Sequence, residues 1–278
     1  MHSAEIAEYD RLTSRHIRVE GGEMVAIDAG SGPTVVLVHG SPVSSLEYRA
    51  TIARLLPRFR VVAPDLLTFG RSSGPPEGAD FTQQARALRR LLDALELERF
   101  HLVAHDWGGP IGLAAAARIP QQLDRLVLLN TSIRPDLRLP LYWRLLSAPR
   151  LGELALLRAN LFSRGLPLFL RAARWDRGLR RRYVEPLKSL ACRRTALKLE
   201  RLHGYAAECN LIQRALPELD GPKMILWGRP DPTLRGEDKR LQELLPGARL
   251  VELHGAGHFA PEDAAGDFAE AIADFLER

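Results

Sequence analysis

From residue 34 onward, short β-branched runs alternate with stretches of helical length. TVVLV is followed by a helix near 44–56, FRVVA by a helix from about 80 to 96, and FHLVA by IGLAAAARI; LDRLVLLN comes next, and KMILW and ARLVEL appear much later. Apolar strands without polar alternation, separated by helices, predict a mostly parallel central sheet covered by helices on both faces, an α/β architecture. The alternation stops at Asn130. From about 134 to 215 the text is Leu- and Arg-rich and helical, broken by Pro135, Pro140, Pro149, Pro167 and Pro186, and strand signals resume at Pro222. The pattern predicts a core made of residues 1–133 and 216–278, with a helical cap, 134–215, inserted after the sixth strand.

Charge sharpens that boundary. Of 278 residues, 39 are Lys or Arg and 34 are Asp or Glu, for a formal net charge of +5. Residues 134–201 alone hold 17 basic and 5 acidic side chains, or +12, which leaves 22 and 29, or −7, for the rest. A basic insertion in an acidic frame argues against a uniformly basic nucleic-acid binder. Its arginines are interleaved with Leu at helical spacing, as in amphipathic helices lying over an apolar pocket. Cys192 and Cys209 are too few for a disulfide framework and lack metal-site or redox spacing. The first residues are charged without an apolar core, and no later run is long enough to span a bilayer. These features predict a cytoplasmic protein with no membrane or nucleic-acid partner, acting as a monomer or homodimer.

The chemistry concentrates at AHDWGG, Ala104 to Gly109, between the strand FHLVA and a helix. A strand turning sharply into a helix, with small residues two before and two after the central one, is a nucleophile elbow. Its centre here is Asp106, and no GxSxG occurs, so a serine esterase loses its main support. A carboxylate is ionised at neutral pH and can attack an sp³ carbon bearing a leaving group without a base. The bland alternative is a helix N-cap. The resulting ester needs a base for hydrolysis. His258, after the last strand, follows Asp106 and Asp231 in the chain order of such a site, and Asp231 in WGRPDP is the carboxylate expected to orient it. Asp238 is a weaker substitute, His39 and His105 read as packing beside the two active-site turns, and His254 is a further competitor. HGSP, His39 to Pro42, supplies a backbone N–H at Ser41 that, with that of Trp107, faces developing negative charge. The Trp107 indole N–H is a pure donor suited to a leaving halide. Asp65 and Gly70 to Ser72 read as a structural turn.

On HGSP with SSLEYR, APDLLTFGRS, HDWGGPIGL, LVLLNTS, WGRPDP and GAGHFAPED, the chain resembles the α/β-hydrolase superfamily and, within it, the haloalkane dehalogenases. The resemblance covers about 20–133 and 218–278. It implies Asp106 as nucleophile, His258 as base, Asp231 as its partner and Trp107 as one halide ligand, with no metal or organic cofactor. The second ligand differs between subgroups: Asn in an HGNP loop, which is Ser41 here, or a cap Trp, for which Trp175 is the candidate and Trp143 the reserve. The implied substrate is a small apolar haloalkane. The rivals are an epoxide hydrolase with the same three residues and cap tyrosines drawn from Tyr142, Tyr183 and Tyr205, a β-lactone-opening relative, and a non-catalytic receptor or scaffold.

Overall fold

The computed structural model describes residues 2–169 and 177–278. Eight strands, β1 (Ser14–Val19), β2 (Gly22–Ala29), β3 (Thr34–Val38), β4 (Arg60–Pro64), β5 (Phe100–His105), β6 (Leu123–Leu129), β7 (Lys223–Arg229) and β8 (Arg249–His254), form one sheet. Their order is β1-β2-β4-β3-β5-β6-β7-β8. β3 to β8 run parallel, as the apolar runs predict, and β2 pairs antiparallel with both β1 and β4. Every residue of β5 is buried, which is why its text reads as a continuous apolar run.

Helices α1 (His2–Arg11), α2 (Arg49–Leu55), α3 (Phe81–Ala94) and α4 (Gly108–Ala116) precede β6. α3 starts at an Asp80 capping box, in which Asp80 accepts from the Gln83 N–H while the Gln83 side chain accepts from the Asp80 N–H. Phe81, Ala85, Leu88 and Leu92, at helical spacing on α3, are buried. Between β6 and β7, the elements among the described residues are all helical and include α5 (Leu141–Leu146), a π-helical turn at Glu153–Arg158, α6 (Leu161–Phe169), α7 (Arg177–Val184), α8 (Leu190–Glu200) and α9 (Tyr205–Ala215). The chain ends with α10 (Glu237–Leu244), α11 (Ala260–Asp263) and α12 (Ala265–Glu277) around β8. α9 packs against α3 and α4, and therefore belongs to a helical layer of the sheet.

Buried polar pairs tie distant segments together. Arg49 on α2 bonds Glu262 on α11, and the Tyr183 hydroxyl from α7 donates to the same carboxyl. Asp65 accepts from Ser45 and Arg71, as the turn reading requires. No described helix is long and apolar enough to cross a membrane.

Candidate active site

Asp106 occupies the turn between β5 and α4 with φ +50°, a left-handed backbone unusual for a side chain larger than glycine. The strain is held from several sides. Its N–H donates to the Leu129 carbonyl at 3.1 Å, and its carbonyl accepts from Gly109 N at 3.0 Å and Thr131 Oγ1 at 2.6 Å. The turn must also press against β3: a Cβ on Gly108 would stand 2.4 Å from the Val38 carbonyl oxygen. That contact is the physical reason for a small residue two places after Asp106. The Asp106 carboxylate projects into a cavity, where its Oδ1 accepts from the Ser41 N–H at 2.8 Å.

His258 follows β8 with its ring buried, its Nε2 3.4 Å from Asp106 Oδ2 and its Nδ1 2.8 Å from Asp231 Oδ2. Asp231 follows β7 and also accepts from Thr233 N at 2.8 Å, Leu234 N at 3.1 Å and Asn130 Nδ2 at 2.8 Å. Burial alone would raise its carboxyl, but His258, Asn130 and the Leu234 N–H outweigh it and hold it down at about 2. For His258 burial lowers the imidazolium, and the two carboxylates overcome that and raise it to about 10. The geometry of the pair favours the protonated ring.

The remaining histidines separate cleanly. His39 is buried and bonds Gly40 O and the Leu66 N–H. His105 joins buried Glu47 to the His258 backbone carbonyl, both at 3.0 Å, and so braces the histidine loop from behind. His254 is exposed. Asp238 pairs with Arg229.

The cavity is about 440 Å³. Asp106, Trp107, Ser41 and His258 line it together with apolar side chains from the α5–α6 region, including Leu139, Trp143, Leu156 and Phe162. The Ser41 hydroxyl is buried there without a hydrogen-bond partner. Trp107 packs edge-on against Phe81 and Tyr205 at centroid distances of 5.3 and 5.7 Å. Its indole N–H donates to Glu200 Oε1 at 3.2 Å, so the expected halide donor faces a carboxyl.

Trp175 lies outside the described residues. Trp143 lines the cavity, and its ring lies 5.7 Å from that of Tyr142. The tyrosine pair expected of an epoxide hydrolase does not assemble. Tyr183 donates to Glu262 and Tyr205 to the Ser132 carbonyl at 3.0 Å, which leaves Tyr142, 44% exposed, at the cavity. Sequence reasoning missed Asn130 as a prop for Asp231, His105 with Glu47 as a brace, and Glu200 altogether. Among the described residues no group of three His, Cys, Asp or Glu side chains is arranged to hold a metal ion.

A strand–turn–helix carboxylate, a histidine after the last strand and an acid after the strand before it define the class: an α/β-hydrolase arrangement. The family model described as alpha/beta hydrolase fold matches residues 33–265, and the chain belongs to that family, as an enzyme of the haloalkane dehalogenase type. It is 32% identical over 279 residues to haloalkane dehalogenase 2 of Mycobacterium tuberculosis, covering 93% of each chain. It is also 32% identical to a cis-3-alkyl-4-alkyloxetan-2-one decarboxylase of Shewanella oneidensis, over 92% of this chain and 86% of the relative. The haloalkane dehalogenase DbeA of Bradyrhizobium elkani superposes with a TM-score of 0.84 at 24% identity, covering 95% of this chain and 97% of that one, a likeness of fold.

Proposed function

We propose that the chain hydrolyses carbon–halogen bonds of small apolar haloalkanes through an ester on Asp106. The observation that carries this is the line of Asp106, His258 and Asp231, spaced 3.4 and 2.8 Å apart, at the wall of an apolar cavity. The relative named haloalkane dehalogenase 2 gives the substrate class. In the first step an Asp106 oxygen attacks the carbon, the carbon–halogen bond breaks with its electron pair, and halide leaves. The Ser41 hydroxyl, which lines the cavity without a hydrogen-bond partner, is a donor available to it, whereas the Trp107 indole N–H is shared with Glu200. Esterification removes one of the two negative charges that raise the His258 imidazolium. The ring then loses its proton more readily and becomes the base for the second step. Water gives a proton to Nε2 and its oxygen attacks the ester carbonyl, returning Asp106 and releasing alcohol. Asp231 keeps the ring oriented through Nδ1.

We take residues 134–203 as the lid over this cavity. The end expected at 215 moves because α9 packs with α3 and α4. Cys192 and Cys209 are buried free thiols, which supports a reducing compartment such as the cytoplasm. The test of the mechanism is His258→Phe treated with 1,2-dibromoethane. A mass gain confined to the Asp106 peptide is the expected result; an unmodified Asp106 with bromide still released would overturn the reading.

A further inference from the structure

We propose that Glu200 is the acid that protonates the leaving group at this site, and that it gives the chain a second activity, opening epoxides to vicinal diols. The inference rests on Asp106 being the nucleophile. Glu200 ends α8, is 8% exposed, lines the same cavity as Asp106 and His258, and holds the Trp107 indole N–H at 3.2 Å. Among the described residues no cation pairs with it. Its neighbour Arg201 is turned to Glu153 and to the carbonyls of Ser147 and Ala148. Arg144 and His203 line a cleft on its other side, and Arg164 lines the cavity.

An ionised carboxyl here would set a negative charge against any departing anion. A neutral one accepts from the indole through its carbonyl oxygen and keeps an O–H to give. Burial and the Asp106 charge favour the neutral form, pushing Glu200 up to about 8 against the opposing pull of Trp107 and His258. A buried carboxylic acid kept protonated at neutral pH is a donor by construction.

The leaving group identifies the substrate class. A halide departs without a proton, and a β-lactone opened at its ring alkyl carbon departs as a carboxylate of low basicity. An epoxide oxygen departs as an alkoxide, far more basic than either. Asp106 attacks a ring carbon, the carbon–oxygen bond breaks, and its electron pair takes the Glu200 proton, leaving a hydroxyalkyl ester and ionised Glu200. In hydrolysis His258 takes one proton from water, and the same proton restores Glu200, so epoxide and water balance to diol. The cavity, about 440 Å³ and largely apolar, suits an epoxide with an apolar or aromatic substituent.

The experiment gives the wild-type chain and Glu200→Gln styrene oxide and 1,2-dibromoethane separately, and follows diol and bromide between pH 6 and 9.5. Gln still accepts from the indole but has no acidic proton. Diol from the wild type, a diol-to-bromide rate ratio lowered more than tenfold by Glu200→Gln, and a fall in wild-type diol formation above about pH 8 are expected. Wild-type bromide without diol, an unchanged ratio in the variant, or wild-type diol formation still rising through pH 9 overturns the inference. The same reagents applied to His258→Phe keep the two readings apart. Asp106 alkylated by dibromoethane, with no diol from the wild type, removes only the Glu200 role; no adduct on Asp106 from either reagent removes the nucleophile as well.

Discussion

Asn130 stands at the end of β6, where its Nδ2 donates to Asp231 Oδ2 at 2.8 Å and its Oδ1 accepts from Gly228 N at 2.8 Å. Asn130→Asp keeps the shape and the bond from Gly228 N, loses the 3.1 Å bond that Nδ2 donates to the Gly228 carbonyl, and turns the donor facing Asp231 into a second carboxylate. Two unit charges at the 2.8 Å of that contact repel by about 6 kcal/mol at an effective dielectric of about 20. Protonating one of them at pH 7, from an ordinary carboxyl value near 4, costs about 4 kcal/mol, at about 1.36 kcal/mol per pH unit. The cheaper route wins, so the folded variant takes up a proton and the electrostatic part of the destabilisation, the part that depends on pH, is capped at about 4 kcal/mol, less whatever the His258 imidazolium offsets. The sign follows: the shared carboxyl is raised in the folded state, so that state binds one more proton than the unfolded chain from about pH 4 to 8. Stability relative to the wild type then falls as pH rises, and about 2.7 kcal/mol of the gap closes between pH 7 and pH 5. For a chain of this size the gap at pH 7 corresponds to roughly 8–16 °C in melting temperature. Urea unfolding followed by circular dichroism at pH 5, 6 and 7 measures it, with Asn130→Ala as the contrast whose deficit does not track pH. A gap for Asn130→Asp that is flat across this range refutes the pairing of Asn130 with an ionised Asp231.

Other consequences are equally direct. Because the His258 imidazolium is raised to about 10, the stability it lends is complete below about 6.5 and is lost as pH climbs to about 10. Asp231, held at about 2, loses its contribution only as pH falls from about 4 toward 2. Thermal melts should therefore decline from pH 7 to 10, and His258→Gln should flatten that limb; a parallel decline in the variant contradicts the charge pair. Arg49→Ala strands the buried Glu262 carboxyl and should cost about 3–5 kcal/mol, read as a lowered urea midpoint. A loss below about 1 kcal/mol speaks against a buried ion pair. Gly108→Ala drives a Cβ to 2.4 Å from the Val38 oxygen and 2.5 Å from the His39 oxygen, both backbone, and should cost about 3 kcal/mol with activity falling alongside. Ser41→Ala breaks no hydrogen bond, so the melting point should hold, while the KM for 1,2-dibromoethane rises about fivefold, the weight of one neutral hydrogen bond of about 1 kcal/mol. An unchanged KM removes the hydroxyl from the leaving-group site.

The apolar runs made the parallel part of the sheet legible, because strands buried on both faces keep no polar alternation. The antiparallel β1 escaped the same reading, since four of the six residues of SRHIRV are polar and none of its positions is fully buried. The elbow was legible because its constraints are local: a positive φ at Asp106 and a contact that only Gly108 fits. Asp231 and His258 followed from chain order. Glu200 carried no local signal. It is the last residue of an amphipathic helix in a Leu- and Arg-rich segment, and what makes it unusual is an indole 93 positions earlier in the chain. Tyr183 and Tyr205 misled for the same reason: phenols in the insertion suggest a donor pair, but the hydroxyl partners, Glu262 and the Ser132 carbonyl, are set by tertiary packing.

The charge split acquires a structural meaning at α8. Read as composition, the +12 of residues 134–201 suggests a positive field over the cavity. In the fold, several of these cations are fastened to backbone oxygens and to core carboxylates. Arg194 donates to the Pro76 carbonyl, Lys198 one turn later to that of Gly78, and between them the Thr195 hydroxyl accepts from Ala79 N and from Thr68 Oγ1. Arg182 pairs with Asp10 on α1. The contact with the core loop is close enough that a Cβ on Gly78 would lie 2.5 Å from Thr195 N. One face of α8 is thus clamped to the core through residues 194, 195 and 198, and the helix ends two residues further on at Glu200. The register of that clamp brings a carboxyl to the indole beside Asp106. The basic insertion therefore matters to the chemistry less as an electrostatic lid than as the fastening that fixes where Glu200 sits.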